Sequence, residues 1–241
     1  MTVFADSSRF IMDLGMHSGD DTAYYLAKDF EVVALEPNPV LAAAARARFA
    51  ADIAAKRLTL VEAAIWSEAG AGTFHLNESG DPRGSLLPAQ LVAEGTPGRG
   101  IELPTVTLGD LFDRFGTPLY IKIDVEGGDR MAIDQLVRQL VKPLYVSVEE
   151  HGAGFELVAT LSACGYNGFQ LVDRSEVPAM SDPDLPFTFT EGSAGPFGDA
   201  LPGDWLARGA FEAEYAARIL TREGARIAPP GRVFDIHATR L

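Results

Sequence analysis

A glycine-spaced turn after the first apolar run constrains the fold of this chain more than any other feature. Residues 10–12 are apolar, and residues 13–19 then read Asp-Leu-Gly-Met-His-Ser-Gly before a stretch with helical character. A second apolar run, residues 32–35, ends in an acid, Glu36. This order is typical of a nucleotide-binding α/β unit, in which the acid accepts hydrogen bonds from two ribose hydroxyls. The pattern therefore predicts a parallel sheet with a binding site at the carboxyl ends of its strands.

The composition of the turn separates two classes of cofactor that such a unit binds. A dinucleotide turn has three glycines in the pattern G-x-G-x-x-G, but His17 replaces the middle glycine between Gly15 and Gly19. Asp13 precedes the turn, where a pyrophosphate would disfavour a negative charge. A cofactor that carries an ammonium and a sulfonium tolerates this acid. The turn therefore favours S-adenosyl-L-methionine (SAM), and an NAD(P)-dependent dehydrogenase is the less favoured alternative.

The predicted cofactor-binding residues lie at the ends of the predicted strands. Glu36 is expected to bind the ribose, and Asn38 follows it closely in the sequence. The glycines of the turn let the backbone approach the methionine portion, because they have no side chain in the way. Two alanines after the third apolar run leave room for the flat adenine. The complete predicted set is Asp13, Gly15, His17, Gly19, Glu36, Asn38, Ala63, Ala64 and Asp124.

The charge balance disfavours several kinds of partner. The chain has 34 acidic and 20 basic residues and a formal net charge of -14, and its Lys and Arg residues form no cluster. Proteins that bind nucleic acid or anionic membranes usually present a basic surface. We therefore expect a small-molecule substrate, with no nucleic acid and no membrane as partners.

The sequence shows no sign of export. Its first residues lack the basic region and the long apolar run of a signal peptide. No segment approaches the roughly 18 uninterrupted apolar residues of a membrane-spanning helix. The single cysteine, Cys164, has no partner for an intramolecular disulfide. We therefore expect a cytoplasmic protein.

Apolar runs alternate with helix-like stretches, which predicts one α/β domain over residues 1–241 with a largely parallel sheet covered on both faces. The last two strands are expected to form an antiparallel pair at one edge. Residues 67–100 are expected to be loop, apart from a short strand at 72–76. The predicted strands are residues 9–13, 31–36, 58–65, 119–125, 144–149, 166–172 and 233–239, and the predicted helices are residues 20–28, 39–55, 108–115, 129–140, 155–164 and 208–222.

Residues 174–206 are rich in Pro, Gly, Asp and Phe and interrupt this alternation. Long stretches without regular structure are either functional or loosely packed surface insertions. We predict a lid or substrate-binding insertion that brings aromatic surface to the substrate, with a loosely packed insertion as the alternative. The aromatic residues concerned are Phe187, Phe189, Phe197 and Trp205.

Three charged residues share one face of the predicted strand at 119–125. Lys122, Asp124 and Glu126 alternate with apolar residues and so point to the opposite face. A central strand of a doubly wound sheet is buried on both faces, where unpaired charges are strongly unfavourable. A strand that ends in a polar cleft explains these charges, since ligands bind at the carboxyl ends of such strands. An edge strand with a solvated face is the alternative, although residues 144–148 supply a neighbouring strand.

These motifs resemble the signature of the FkbM-type SAM-dependent methyltransferases. The most specific element is Lys-x-Asp-x-Glu-Gly at residues 122–127. The turn departs from the family, in which Gly-Ala-Asn is common where this chain has Gly-Met-His at residues 15–17. The other family-like elements occur in the expected order between about residues 9 and 172, and they are Asp13-Leu14-Gly15 with Gly19, Glu36-Pro37-Asn38-Pro39, Ala63-Ala64-Ile65-Trp66, Thr107-Leu108-Gly109-Asp110-Leu111 and Val148-Glu149.

The resemblance implies a Rossmann-like class I methyltransferase fold, with a seven-stranded, mostly parallel sheet, helices on both faces and an antiparallel strand at one edge. It also implies methyl transfer from SAM to a hydroxyl of a small-molecule or sugar-containing metabolite, as in the tailoring of natural products or glycans. Methyl transfer to nitrogen and a catalytically silent SAM-binding protein are the alternatives. A homo-oligomer is left open.

The candidate catalytic residues follow the fourth and fifth predicted strands. Methyl transfer from a sulfonium is an in-line displacement, so the protein positions the acceptor and removes its proton. Asp124, Glu126 or His151 is the predicted base, with His17 as an outside candidate. Lys122 is expected to pair with the acids or to orient the substrate. We predict no metal. A divalent cation is the chemical alternative, since its oxygen ligands could come from a set whose spacing matches no dedicated metal motif: Asp124, Glu126, Glu149, Glu150 and His151.

Overall fold

A computed structural model describes residues 3–5, 8–77, 84–85 and 97–241 of the chain. These residues form a central sheet, helices on both of its faces, and two smaller sheets. The strands are β1 (Val3–Ala5), β2 (Phe10–Leu14), β3 (Glu31–Leu35), β4 (Leu58–Val61), β5 (Ala64–Ile65), β6 (Gly70–Asn77), β7 (Gly84–Ser85), β8 (Pro97–Val106), β9 (Tyr120–Ile123), β10 (Val141–Pro143), β11 (Tyr145–Glu149), β12 (Gly168–Asp173) and β13 (Phe234–Thr239). The α-helices are α1 (Asp20–Ala27), α2 (Pro39–Arg48), α3 (Ala50–Ala54), α4 (Leu108–Phe115), α5 (Asp129–Arg138), α6 (Gly154–Ala163) and α7 (Arg208–Arg218), and short 3-10 helices occur at Arg174–Ala179 and Gly198–Ala200.

Across the described residues, the central sheet has seven strands in the order β12-β13-β11-β9-β2-β3-β4. β13 is antiparallel to β11 and β12, and the other pairs are parallel. This arrangement confirms the predicted fold, including the antiparallel pair at one edge. The chain runs outward from β2 through β3 to β4 and then returns to place β9 on the other side of β2. Ligands of open α/β sheets bind where the strand order reverses in this way, beyond the carboxyl ends of the strands.

Alternating side chains of the central strands build a core on each face of the sheet. Met12 and Ile121 pack on one face with buried side chains of α5, α6 and α7. Ile11 and Tyr120, their neighbours in the sequence, pack on the other face with α1. All four side chains are at most 1% exposed, as expected for strands that are covered on both sides.

The segment 174–206 packs on the same face of the sheet as α1. Phe197 stacks on Tyr120 of β9, with ring centroids 4.3 Å apart and ring planes at 5°. Phe189 contacts Tyr24 of α1 edge-on at 4.8 Å, and it is only 2% exposed. These aromatic side chains of the segment are therefore part of the core on this face, and the role of the segment as a lid stays a prediction. The physical reason for this packing is that the aromatic side chains of β9 and α1 need an apolar cover on this face.

Two predicted elements are each divided in the structure. The predicted helix at 39–55 breaks at Phe49, whose ring turns inward and packs beside Gly19. The predicted strand at 58–65 divides into β4, which belongs to the central sheet, and β5, which pairs with β8 instead. The division lets β5 join a small separate core with β6 and β8.

The region predicted as loop between residues 67 and 100 contributes to a sheet of order β5-β8-β6-β7 in the described part of the chain. β6 and β8 extend well beyond the predicted short strand at 72–76. Their inward positions bury Phe74 and Leu103, a period-two pattern that the many glycines and prolines obscure. The remainder of the predicted loop lies outside the described residues, at 78–83 and 86–96.

The other predicted strands and helices occur where the sequence places them, with ends displaced by a few residues. The start of helix α4 could be predicted from the sequence, because Thr107 and Asp110 form a reciprocal capping box. None of the described helices is both long enough and apolar enough to cross a membrane.

Strand β9 ends at Ile123, so it contains Lys122 but ends before Asp124 and Glu126, which the sequence also placed on it. Asp124 donates a last backbone hydrogen bond to the carbonyl of Leu14 at 3.0 Å, and the chain then turns. Glu126 has φ 44°, in the left-handed region. The turn after β2 packs directly against the backbone of Asp124, because a Cβ added to Gly15 (φ 86°) would lie 1.7 Å from the carbonyl oxygen of Asp124. Only glycine therefore fits at this crossing of two backbones.

We predict that Gly15→Ala strongly destabilises the fold, because the backbone of Asp124 and Val125 leaves no room for a Cβ. The left-handed conformation contributes about 1–2 kcal/mol of this loss and overpacking about 1–3 kcal/mol more. Urea denaturation should therefore show a free energy of unfolding that is lower by about 2–5 kcal/mol.

Gly209→Ala is the matched control for this experiment. Gly209 is exposed in α7, and an added Cβ would have no atom within 4 Å. This variant should be neutral or more stable by about 0.5–1 kcal/mol, because alanine favours the helix. Equal stability of the two variants would contradict the proposed role of Gly15.

Candidate functional site

The carboxyl ends of β2, β3, β9 and β11 surround a cleft at the reversal of strand order. The turn after β2 and the end of β3 form one half, and the residues after β9 and β11 form the other. Gly192 and Arg174, both from the segment 174–206, also reach the cleft, whereas the four aromatic side chains predicted to face a substrate pack elsewhere. The predicted site residues that line the cleft are Gly15, His17, Glu36, Ala64, Lys122, Asp124 and Glu126.

Glu36 follows β3 and lines the first half of the cleft, although it is only 4% exposed. Its Oε2 accepts a hydrogen bond from the backbone N–H of His17 at 2.8 Å, and its Oε1 accepts one from that of Asn38 at 2.8 Å. Burial raises the pKa of Glu36 to about 7, despite these two hydrogen bonds. The carboxyl group thus fixes the glycine turn to the end of β3. Each of its oxygens has a further lone pair that can accept from a ligand hydroxyl.

Lys122 and Asp13 form an ion pair beneath the glycine turn. Lys122 Nζ donates to Asp13 Oδ1 at 3.1 Å and to the carbonyl oxygen of Gly15 at 2.9 Å. Asp21 and Asp124 lie 3.5 and 3.9 Å from the same ammonium. Burial opposes the charge, but these carboxylates raise the pKa of Lys122 above its usual range. Asp13 is fully buried and does not line the cleft, so it supports the turn from beneath, and its contact with a cofactor stays a prediction.

Three further predicted cofactor residues lie behind the cleft. Asn38 caps α2, because its Oδ1 accepts from the backbone N–H of Val40 at 2.9 Å. Gly19 precedes α1, and a Cβ added there would lie 2.7 Å from the ring of Phe49. Ala63 packs in the hydrophobic core, while its neighbour lines the cleft. All three are buried and are absent from the lining of the cleft, and their contact with a cofactor stays a prediction.

Arg174 links three carboxyl groups at the second half of the cleft. Its Nε and Nη2 donate to the two oxygens of Asp235 at 2.9 and 2.8 Å. Nη2 also donates to Asp124 Oδ2 at 2.8 Å and lies 3.7 Å from Glu149 Oε2. No sequence motif points to Arg174 or Asp235, which meet only because β12, β13 and β11 are neighbours in the sheet. From the sequence, Glu149 was named only as part of a family-like element and as one of five possible metal ligands. Its position at the end of a predicted strand was the signal that could have placed it in the cleft.

The side chains of Asp124 and Glu149 lie together beside Arg174, whose Nη2 is 2.8 Å from Asp124 Oδ2 and 3.7 Å from Glu149 Oε2. Burial opposes the ionisation of Asp124, but Arg174 and Lys122 hold its pKa well below the usual range. Burial and the negative charge of Asp124 raise the pKa of Glu149 to about 10. These opposite shifts favour a single negative charge on the pair near neutral pH.

Asp21 connects α1 to the segment 174–206 at the wall of the cleft. Its Oδ1 accepts hydrogen bonds from Ser193 Oγ at 2.5 Å and from the backbone N–H of Ala194 at 2.9 Å. Burial raises the pKa of Asp21 to about 6, although Lys122 opposes this shift. The sequence interpretation did not include Asp21, because an acid in the first turn of a helix is common and needs no ligand.

His151 lies beside the cleft, and it is not one of the described residues that line the cleft. Its Nε2 is 3.5 Å from Asp129 Oδ2 and 3.9 Å from Glu149 Oε1, and 41% of its side chain is exposed. The hydrogen bond with Asp129 raises the pKa of His151 above its ordinary value, although burial opposes the shift. This position disfavours His151 as the base, because the imidazole lies next to Asp129 outside the cleft, and its catalytic role stays a prediction.

The lining of the cleft is acidic. Its two basic side chains that are always charged, Lys122 and Arg174, are both occupied by carboxylates of the protein. In the described part of the chain, no group of His, Cys, Asp and Glu is arranged to hold a metal ion. Such a cleft suits a ligand with positive charge and hydroxyl groups, and it disfavours a pyrophosphate. The carboxyl residues of the lining are Asp20, Asp21, Glu36, Asp124, Glu126 and Glu149.

Several solved structures are similar to this chain at low sequence identity. Precorrin-6y C5,15-methyltransferase from Geobacter metallireducens GS-15 is 15% identical, with 97% of this chain and 80% of that chain covered and a TM-score of 0.42. Methyltransferase FkbM from Methylobacillus flagellatus KT is 17% identical, with 72% and 41% covered and a TM-score of 0.41. An O-methyltransferase from Bacillus cereus in complex with SAH is 9% identical, with 97% and 74% covered and a TM-score of 0.42. No curated protein matches the chain.

A protein family, in contrast, matches most of the sequence. The profile of the methyltransferase FkbM domain matches residues 13–167. The matched region contains the glycine turn, Glu36 and the charged element at 122–127, all of which meet at the cleft. The chain therefore belongs to the FkbM methyltransferase domain family.

Proposed function

We propose that this protein transfers a methyl group from SAM to a hydroxyl oxygen of a small-molecule or sugar-containing metabolite. Its family supports methyl transfer. The observation that carries the choice of cofactor is the acidic cleft, in which a buried carboxyl group, Glu36, holds the glycine turn. A sulfonium and an ammonium are favourable ligands there, whereas the phosphates of NAD(P) would face the carboxyl groups of the described lining, in which Lys122 and Arg174 are already paired with carboxylates.

The first half of the cleft has the groups that SAM requires. Glu36 would accept hydrogen bonds from the ribose hydroxyls, and the backbone beside Gly15 would approach the methionine portion. Ala64 and Trp66, which follow β4, would flank the adenine. When bound, SAM supplies a methyl group that is already activated on sulfur. The protein then has to position the acceptor and to receive its proton.

The second half of the cleft is left for the acceptor, and Asp124 is the proposed proton acceptor there. Its ionised carboxylate lies between the glycine turn and Glu149, with Arg174 as its closest cation. A hydroxyl becomes much more acidic as its oxygen gains a methyl group. A carboxylate of low pKa can therefore take the proton late in the reaction, although it is too weak to remove the proton beforehand. Glu126 and Lys122 complete the charge distribution around this point.

We predict that the affinity for S-adenosylhomocysteine (SAH) rises as the pH rises through about 7. Glu36 loses its proton in this range, and the carboxylate accepts hydrogen bonds from hydroxyls more strongly than the neutral acid does. Below this pH, affinity should change by up to about tenfold per pH unit. Glu36→Gln should flatten the profile and weaken binding about tenfold or more at high pH, as isothermal titration calorimetry can measure.

Glu31→Gln is the matched control, since Glu31 is exposed at the opposite end of the same strand. Its profile should equal that of the wild type. NAD should give no heat of binding under the same conditions. An unchanged pH profile in Glu36→Gln would remove Glu36 from the site, and tight NAD binding without SAH binding would overturn the choice of cofactor.

We predict that Asp124→Asn lowers turnover by about two to four orders of magnitude, the usual contribution of a general base, while SAH affinity changes much less. The acceptor is found first, by screening hydroxylated metabolites for conversion of SAM to SAH. His151→Gln should change turnover far less, because His151 lies outside the cleft. Amine analogues screened in parallel report the acceptor atom.

Three results would change this proposal. Methylation of amines alone would move the acceptor to nitrogen. SAH binding with no turnover of any acceptor would support a catalytically silent SAM-binding protein. Equal loss of turnover in Asp124→Asn and His151→Gln, with both variants folded, would remove the distinction between the two residues.

A further inference from the structure

Arg174 and Asp235 lie outside the region that the family profile matches, yet they complete the second half of the cleft. We propose that Arg174, oriented by Asp235, is a positioning residue that holds Asp124 as the carboxylate and Glu149 as a neutral acid hydrogen-bonded to it. The inference rests on the proposed function in one respect only, namely that an acceptor binds beside this pair. The state of the pair itself is a property of the empty protein.

The geometry of Arg174 fixes where the negative charge lies. A guanidinium is planar and rigid, so its two-pronged pairing with Asp235 sets the direction of the remaining Nη2 donor. That donor is 2.8 Å from Asp124 but 3.7 Å from Glu149. The nearer carboxyl group gains more from the cation and therefore ionises, while the other group keeps the proton.

The surroundings of Glu149 oppose a second negative charge. Asp124 and Asp235 face it from the strands on either side, and each of them is already paired with Arg174. His151 lies 3.9 Å away, but it hydrogen-bonds to Asp129 instead. The charged and titratable groups around the pair are thus Lys122, Asp124, Asp129, His151, Arg174 and Asp235.

The arrangement gives the acceptor one oxygen that receives a proton and one group that donates a hydrogen bond. When the acceptor oxygen bonds to the methyl carbon, the C–S bond would break with its electron pair left on sulfur, while the electron pair of the acceptor's O–H bond stays on oxygen and the proton passes to Asp124. Glu149 keeps its own proton and stabilises the carboxylate until that transfer. Arg174 donates to Asp124 Oδ2, so it acts on the proton transfer through Asp124.

Infrared spectroscopy of the protein without ligands tests the state of the pair. At about pH 9 the carboxyl groups of Asp21 and Glu36, with pKa values of about 6 and 7, are ionised, whereas Glu149 at about 10 is not. We expect the carbonyl stretching band of a protonated carboxyl group in the wild type, shifted in D2O. The band should be absent in Glu149→Gln and present in the control Glu31→Gln.

The pH dependence of turnover tests the role of Arg174 once an acceptor is known. Arg174→Gln removes the cation nearest to Asp124, so the acid limb of kcat should move upward by about one pH unit or more. Arg174→Lys should move it back toward the wild-type position. Asp235→Asn should move it in the same direction as Arg174→Gln, by less. Arg218→Gln is the control, because Arg218 pairs with Glu214 on α7, and its limb should not move.

Two results would overturn the proposal. A wild type without the band at about pH 9, or a band that persists in Glu149→Gln, would show that Glu149 is not the neutral member of the pair. An acid limb that stays in place in folded Arg174→Gln would show that Arg174 does not control Asp124. Should Arg174→Gln fail to fold, Arg174→Lys and Asp235→Asn provide the same comparison. Failure of the proposed function would appear separately, as a normal infrared band with no methyl transfer.

Discussion

The buried ammonium of Lys122 is the interaction on which the rest of the cleft depends. It binds the carbonyl oxygen of Gly15 and lies among Asp13, Asp21 and Asp124, so that it joins the glycine turn, the start of α1 and the end of β9. Buried charges are stable only when they are paired and hydrogen-bonded. Without this cation, three carboxylates would face one another at a point where two backbones already touch. The cleft is thus arranged around a charge that the protein's own carboxylates neutralise.

The sequence predicted the site residues that stand at the ends of predicted strands and have side chains with a recognisable chemical role. The alternation of charged and apolar residues at 122–126 marked the strand that ends in the cleft, and the acid after the second strand marked Glu36. The sequence did not show how deeply each of these acidic side chains is buried. Asp13 and Glu36 both stand at strand ends, yet one is enclosed by Lys122 and the other lines the cleft. That difference follows from the strand order, which places Lys122 directly beside Asp13.

Long-range contacts were beyond the reach of sequence patterns. Arg174 and Asp235 are separated by 61 residues and become neighbours only through the antiparallel pair at the edge of the sheet. The segment 174–206 shows the same limit in another form. Its many prolines and glycines indicate irregular backbone, but they do not show that Phe197 stacks on Tyr120 in the core. Composition predicts the regularity of a segment better than it predicts what the segment covers.

The raised pKa values in the cleft affect how the stability of the protein without ligands depends on pH. Burial raises the pKa of Asp21 to about 6 and that of Glu36 to about 7, above the values near 4 of unfolded carboxyl groups. The folded chain therefore binds more protons at these two sites than the unfolded chain between about pH 4 and 7. Their contribution to stability is fully present below that window and is lost as the pH rises through it. A cation that settles in the cleft near neutral pH would expel such protons, so that ligand binding and proton release become a single event.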